Sequence, residues 1–404
     1  MKPRKGEHRD SSLETGRRRS LLPILALLIS FLVLEGSSLL ALSLLPRVTG
    51  VEVRTTRTIL QEQQQLSLRL LESTEIREEL DPVLGWLYRP GFSSSEDRVN
   101  SVGARSLGEY DRDPPEGTLR VVAYGDSFMY GNEVSVQEAW STVLEDLVPN
   151  VEVLNFGVGG YGTDQAFLRY LGTQGVHGED LVLIGFAPVN LRRTVNVYRR
   201  FISNRDWPLV KPRFAIEDEG LVLIPNPLPT PEEYRQLVEE PLTTVRALGV
   251  RDSWYNPLEW ENPLYDLSPT VRLVSYLGSR VYRTRLSRDK LLADGGFNPA
   301  SEAFAVQREL LKAFHDSVSA NGRRAQIVIF PDHASIRLHM EGRPTTYAPL
   351  VSSLKEEGVQ ALDLVNIFSE EAAKGGLERL FAPGGHYSSE GNRLVAQAMT
   401  SLLP

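Results

Sequence analysis

The chain of 404 residues contains no cysteine, which excludes a disulfide framework, a thiolate nucleophile and a thiolate metal site. It has six histidines, His8, His177, His315, His333, His339 and His386, and no two stand in HExxH or a comparable ligand spacing. No metal and no cofactor is expected from such a pattern. Positive charge is not in surplus either: 44 Lys and Arg face 52 Asp and Glu, a formal net charge of -8, so a nucleic-acid partner is not expected. Internal repeats and long low-complexity tracts are also missing. With 41% hydrophobic and 24% charged residues, the composition suits one large globular domain with appendages.

Residues 21–46 form a long apolar stretch, interrupted mainly by Glu35-Gly36-Ser37-Ser38. At about 1.5 Å per helical residue this stretch crosses a hydrocarbon core of roughly 30 Å. The preceding tail, residues 1–20, carries Lys2, Arg4, Lys5, Arg9 and Arg17-Arg18-Arg19, so the positive-inside rule keeps it cytoplasmic and exports the residues beyond Pro46. The expectation is a single-pass signal-anchor in the cell membrane, with the folded part extracytoplasmic, and periplasmic in a Gram-negative cell. A cleaved signal peptide ending near Ala41-Leu42-Ser43 is the competing reading. A carboxylate at mid-span is costly, so Glu35 is protonated, snorkelling or paired with a helix of another membrane protein.

Residues 47–117 read as a stalk and lead-in. Up to Leu80 they are Gln- and Glu-rich with an imperfect leucine stripe, which suits a helix. From Asp81 to Gly117 the density of Pro and Gly favours an irregular segment. Residues 118–404 have a different texture. Short apolar runs, Val121-Val122-Ala123, Val151-Glu152-Val153-Leu154, Leu181-Val182-Leu183-Ile184, Ile327-Val328-Ile329-Phe330 and residues 359–364, alternate with helical stretches at residues 138–147, 164–171, 301–318, 347–354 and 389–403. That alternation implies right-handed crossovers and an α/β fold, a doubly wound parallel sheet of flavodoxin-like type. A long interruption at residues 193–299, between strands three and four, has the length of a lid or binding loop.

In such sheets ligands bind beyond the carboxyl ends of the strands, and four polar places follow apolar runs or precede a helix. Gly125-Asp126-Ser127 presents a hydroxyl on a tight turn, which makes Ser127 the candidate nucleophile. The glycine-rich Gly157-Val158-Gly159-Gly160 lets a backbone amide approach an oxyanion. Asn190 offers a neutral carboxamide donor. His386, in Gly384-Gly385-His386 ahead of a carboxy-terminal helix, is the candidate general base. His333, after strand four, reads as a loop residue near the pocket.

Each signal alone is weak, but in this order they resemble the SGNH (GDSL-like) hydrolase family, over residues 119–403 apart from the interruption. The resemblance implies Ser127 as nucleophile and amide donor, Gly160 as the second oxyanion amide with Gly157 as fallback, Asn190 as the third donor and His386 as the base. The lead-in, Leu84-Gly85-Trp86 and then Asn100 to Arg105, looks like a membrane-anchored subgroup associated with bacterial envelope polysaccharides, which implies an acylated carbohydrate or lipid as substrate.

Two departures stand out. Leu191 follows Asn190 where the family usually has Asp, and Pro383 and Gly384 stand where it carries the acid that orients the histidine. The site is then a Ser-His dyad, or the acid has moved, with Asp332 and Asp363 the candidates by topology. The expected function is a serine esterase working through an acyl-enzyme. The alternatives are an O-acetyltransferase of an exported polysaccharide and a catalytically impaired glycan-binding or assembly protein.

Overall fold

The short apolar runs become one five-stranded parallel sheet in the computed structural model, which describes residues 12–203, 206–218, 220–287 and 290–404. Its strands are β1 (Leu119–Gly125), β2 (Val151–Gly157), β3 (Leu181–Phe186), β4 (Arg324–Ile329) and β5 (Ala361–Asp363). Their order is β2-β1-β3-β4-β5, and the register runs Leu119↔Val151 and Val121↔Leu181 on either side of β1. This is the flavodoxin-like order, which reverses direction between β1 and β3 and leaves a crevice at their carboxyl ends.

Helices form at α1 (Ser12–Thr49), α2 (Trp140–Leu147), α3 (Thr163–Thr173), α4 (Pro269–Val281), α5 (Glu302–Ala320), α6 (Val365–Gly375) and α7 (Ser389–Thr400). Side chains alternate across each strand, so the sheet feeds two cores. Val122, Leu154, Val182, Ile184 and Ile327 pack with Phe167 and Tyr170 of α3 and Leu310 and Phe314 of α5. Val121, Ala123, Val153, Leu183 and Val328 pack with Trp140 of α2, Phe368 of α6 and Val395 of α7. Helices on both faces explain why the strands are apolar throughout rather than alternating.

The chain divides into two compact units, one of Met1–Leu60 with Asn256–Val281 and one of Gln61–Tyr255 with Tyr282–Pro404. In the first, Leu22–Thr49 of α1 is long and apolar enough to cross a membrane. Glu35 finds its partner inside the chain: Ser268 Oγ donates to Oε1 at 2.5 Å and Thr270 N–H to Oε2 at 3.2 Å. A helix of another protein is therefore not needed to satisfy this carboxylate. In the second unit, an antiparallel hairpin, Glu78–Asp81 with Gly85–Tyr88 in the register Glu78↔Tyr88, straddles the end of the stretch read as helical, up to Leu80, and the start of the one read as irregular. Four-residue strands between dense breakers leave too short a pattern to read, yet Trp86 and Tyr88 are buried. The helix Thr56–Glu72 lies in the stretch read as a stalk, but Gln63 and Ser67 are fully buried, with Gln63 Nε2–H donating to Leu237 O at 3.1 Å.

The interruption between β3 and β4 is tied to α3 by an ion pair of Lys211 with Asp164, both side chains fully buried. Burial pushes the Lys211 ammonium down, while Asp164 supports its charge. Asp164→Ala should destabilise the protein by about 3–5 kcal/mol, because it strands a buried cation. Urea unfolding followed by tryptophan fluorescence checks this; an unchanged midpoint would contradict it.

Candidate active site

Asp126 shapes the turn that presents Ser127. Its Oδ1 accepts from Phe128 N–H at 2.9 Å and so caps the short helix Ser127–Tyr130, which Gly131 closes. Ser127, 4% exposed, stands at the first position of that turn, beyond the carboxyl end of β1. His386 Nε2 lies 2.8 Å from Ser127 Oγ. On the other side of the ring, His386 Nδ1 lies 3.1 Å from Glu133 Oε2, which also accepts from the His386 backbone N–H at 2.9 Å. A carboxylate only accepts, so the ring hydrogen belongs on Nδ1 and the Nε2 lone pair faces the serine hydroxyl. Ser, His and Glu thus form one hydrogen-bonded chain of the kind in which an acid orients a base.

Glu133 is held in an unusual backbone conformation, with φ of 70°, which a non-glycine residue adopts only where its surroundings enforce it. The enforcing group is Arg105. Its guanidinium donates to Tyr130 O at 2.9 Å, Gly131 O at 2.6 Å and Val134 O at 2.7 Å, gripping the loop on both sides of Glu133. Asp97 accepts from Arg105 Nε at 3.1 Å, from Arg77 at 2.7 Å and from the Tyr130 hydroxyl at 2.7 Å. Burial pushes the Asp97 carboxyl up, but Arg105, Tyr130 and Arg77 outweigh it and hold the group below its usual range.

Gly384 gives the carboxylate its room. A Cβ at this position would overlap Glu133 Oε1 and Cδ, so the residue that lacks a carboxylate in the sequence is the one that lets another carboxylate reach His386. Asp332 and Asp363 have other partners. Asp332 caps the helix His333–Met340 by accepting from Ser335 N–H at 2.8 Å, and Asp363 accepts from the Tyr347 hydroxyl at 2.9 Å and Val365 N–H at 3.0 Å. Neither is hydrogen-bonded to His386 among the described residues. His333 pairs with Glu378 at 2.8 Å. Glu133 stands six residues after Ser127 and two after Gly131, and nothing local marks it as the partner of a histidine 253 positions away.

The loop after β2 is pinned by the hairpin of the lead-in. Gly159 N–H donates to the Tyr88 hydroxyl at 2.7 Å, Trp86 Nε1–H to Gly159 O at 3.2 Å, and the Tyr161 hydroxyl to Trp86 O at 2.5 Å. Gly157 N–H is engaged by Asn155 Oδ1 at 3.0 Å. Gly160, with φ of 83°, makes no hydrogen bond through its N–H among the described residues.

Asn190 opens the short helix Asn190–Arg193 after β3. Its Nδ2 donates to Asp126 Oδ2 at 3.0 Å and Tyr161 O at 3.1 Å, which uses both amide hydrogens in this arrangement. Arg193 Nη1 serves the same two acceptors, at 3.0 and 2.9 Å. Burial pushes the Arg193 guanidinium down to about 9, with Arg199 adding repulsion and Asp126 opposing it, so it remains a cation at neutral pH. Leu191 is buried in the core, which accounts for an apolar residue where the resemblance leads one to expect Asp. No group of three or more His, Asp or Glu among the described residues could hold a metal ion.

Solved structures similar to this chain include lipolytic hydrolases of the G-D-S-L type. One is a member of the lipolytic protein G-D-S-L family from Veillonella parvula, 11% identical, covering 71% of this chain and 98% of its own, with a TM-score of 0.34. A lipase/acylhydrolase from Enterococcus faecalis is 12% identical, with 71% and 95% coverage and a TM-score of 0.35. An acetyl xylan esterase is 11% identical, with 71% and 100% coverage and a TM-score of 0.37. No protein-family model matches the chain, and no curated protein does. At such distances the likeness adds nothing to the chemistry, which rests on the Ser127, His386 and Glu133 geometry.

Gly384→Ala should push Glu133 off His386 and lower kcat on a short-chain aryl ester by at least about 10²-fold, since an unsupported base loses most of what its acid supplies. Asp332→Asn and Asp363→Asn should change kcat by less than about 3-fold. Steady-state kinetics on the three variants decides: an active Gly384→Ala would show that the room at this glycine is not needed.

Proposed function

We propose that the chain is a serine acyl hydrolase or acyltransferase in which Ser127 is the nucleophile, His386 the general base and Glu133 the acid that orients it. The observation that supports this is the continuous chain from Ser127 Oγ to His386 Nε2 and from His386 Nδ1 to Glu133 at the switch point of the sheet. Ser127 Oγ attacks the carbonyl carbon of an ester while His386 Nε2 takes its proton. Glu133 faces the imidazolium that forms and stabilises its charge. His386 then returns the proton to the departing alcohol, leaving an acyl group on Ser127. Water or a sugar hydroxyl, deprotonated by His386, attacks the acyl-enzyme, and the proton goes back to Ser127 as the acyl group leaves.

The negative charge on the carbonyl oxygen needs donors. The Ser127 N–H, at the start of its turn, and the unengaged Gly160 N–H are the two backbone candidates. Asn190 can release Tyr161 O to join them at little cost, because Arg193 Nη1 still donates to that carbonyl. This keeps Asn190 in the reading as a donor that is engaged at rest and redirected when charge develops.

The proposed substrate is an acyl ester on an extracytoplasmic carbohydrate or lipid. An anchor formed by α1, with a cytoplasmic basic tail, supports that placement. A supported His386 disfavours the impaired binding-protein alternative.

Incubation with an aryl acetate should give a peptide carrying Ser127 with one acyl group added, seen by mass spectrometry after acid quench, and Ser127→Ala should show neither that adduct nor turnover. Turnover retained in Ser127→Ala would remove the residue from the mechanism. Adding an oligosaccharide separates the two acceptors, since acetylated sugar in excess of free acetate marks a transferase. Asn190→Ala should lower kcat by about 10²- to 10³-fold with little change in KM; a change in KM alone would make Asn190 a substrate-binding residue.

A further inference from the structure

Helix α4 is amphipathic in the wrong sense for a water-facing helix. Arg272 and Ser275 are buried, at 8% and 4% exposure, while Val274 and Leu277 are open, at 62% and 46%. Leu267 before the helix and Val281 at its end extend the same apolar face, at 74% and 46%. A helix in water turns its apolar stripe inward. Here the polar stripe is inside, which costs free energy in water and none in hydrocarbon.

The packing of α4 supplies the second observation. Within their common unit, α4 lies along α1. The Glu35 carboxylate receives Ser268 Oγ–H and Thr270 N–H at the start of α4, and the Thr270 and Ser38 hydroxyls are 3.0 Å apart. Backbone N–H groups at a helix start carry partial positive charge and suit a carboxylate. Glu35 and Ser38 belong to the apolar stretch Leu22–Thr49, and Glu35 stands about 20 Å along the helix axis from Leu22 at 1.5 Å per residue. If that stretch is in the bilayer, the start of α4 is at the same depth. Thirteen residues reach about 20 Å, short of the roughly 30 Å of a hydrocarbon core, so α4 does not span.

We propose that α4 is a second, non-spanning membrane element, docked on α1 through Glu35 and Ser38, whose face of Leu267, Val274, Leu277 and Val281 is covered by the acyl chains of the bilayer. The proposal rests on the reading of α1 as an anchor. It assigns Glu35 the task of joining two membrane segments of one chain: the carboxylate is tolerated because α4 brings it donors, and α4 is held at that depth because Glu35 is there.

The absence of native cysteine makes the test direct. Single cysteines in the full chain at Leu277, Val274, Leu28 in α1 and Lys355 in the other unit, each labelled with an environment-sensitive fluorophore, are reconstituted into phosphatidylethanolamine and phosphatidylglycerol vesicles. Quenching by doxyl-labelled phospholipid is compared with quenching by iodide. The expected result is that Leu277→Cys and Val274→Cys behave like Leu28→Cys, quenched at least about 3-fold more by the lipid than is Lys355→Cys, and shielded from iodide. Iodide quenching at both α4 positions with lipid quenching at Leu28→Cys would overturn the proposal and leave the anchor standing. Iodide quenching at Leu28→Cys as well would overturn the anchor reading and the proposal with it. Shielding of both α4 positions from both quenchers would overturn the proposal in favour of a protein partner on this face.

Discussion

For His386 to act as the proposed base, something must fix its tautomer and accept its charge, and the group in place for that task is a carboxylate from the loop that follows Ser127. Glu133 meets Nδ1 and the backbone N–H of His386 together, so it orients the ring and the loop that carries it. Other features of the site answer to this contact. Gly384 has no side chain because the Glu133 carboxylate fills the space. Arg105 is buried because three carbonyls around Glu133 must be held for its positive φ to persist.

The lead-in therefore holds the candidate site in place. Arg105, Asp97 and Arg77 grip the loop after Ser127, while Trp86 and Tyr88 grip the loop after β2. Two of the strand-end loops that face the crevice are thus clamped by residues from one segment. Preorganisation of this kind lets hydrogen-bond donors act on developing charge without first being reoriented. Asn190 is the exception, engaged by Asp126 and Tyr161 at rest, with Arg193 as the understudy for both acceptors.

The sheet was legible because its strands are buried on both faces and so read as continuous apolar runs, with helices between them long enough to carry a 3.6-residue period. Ser127 and His386 were legible because each follows an apolar run or precedes a helix in a glycine-marked turn. Glu133 was not. A carboxylate that meets its histidine across 253 positions leaves no spacing to detect, and topology pointed instead to Asp332, which caps a helix, and Asp363, which binds a tyrosine hydroxyl. The hairpin holding Trp86 was hidden by its brevity. The inward polar face of α4 was hidden for another reason: a sequence carries the period of a helix but not which stripe faces protein, and Glu35 could be paired only once Ser268 and Thr270 were beside it.

The most direct measurement is the rate at which a fluorophosphonate labels Ser127 in the intact protein, followed by mass spectrometry of the peptide, in the wild type and in Glu133→Gln. The amide keeps the size of the side chain but removes the charge and can favour the wrong imidazole tautomer, an exchange worth about 10⁴ in kcat in well-studied triads. If Glu133 is the acid that supports His386, Ser127 is labelled readily in the wild type and at least about 10³-fold more slowly in Glu133→Gln, with the folded state unchanged by circular dichroism. Equal labelling rates in the two proteins would contradict that role.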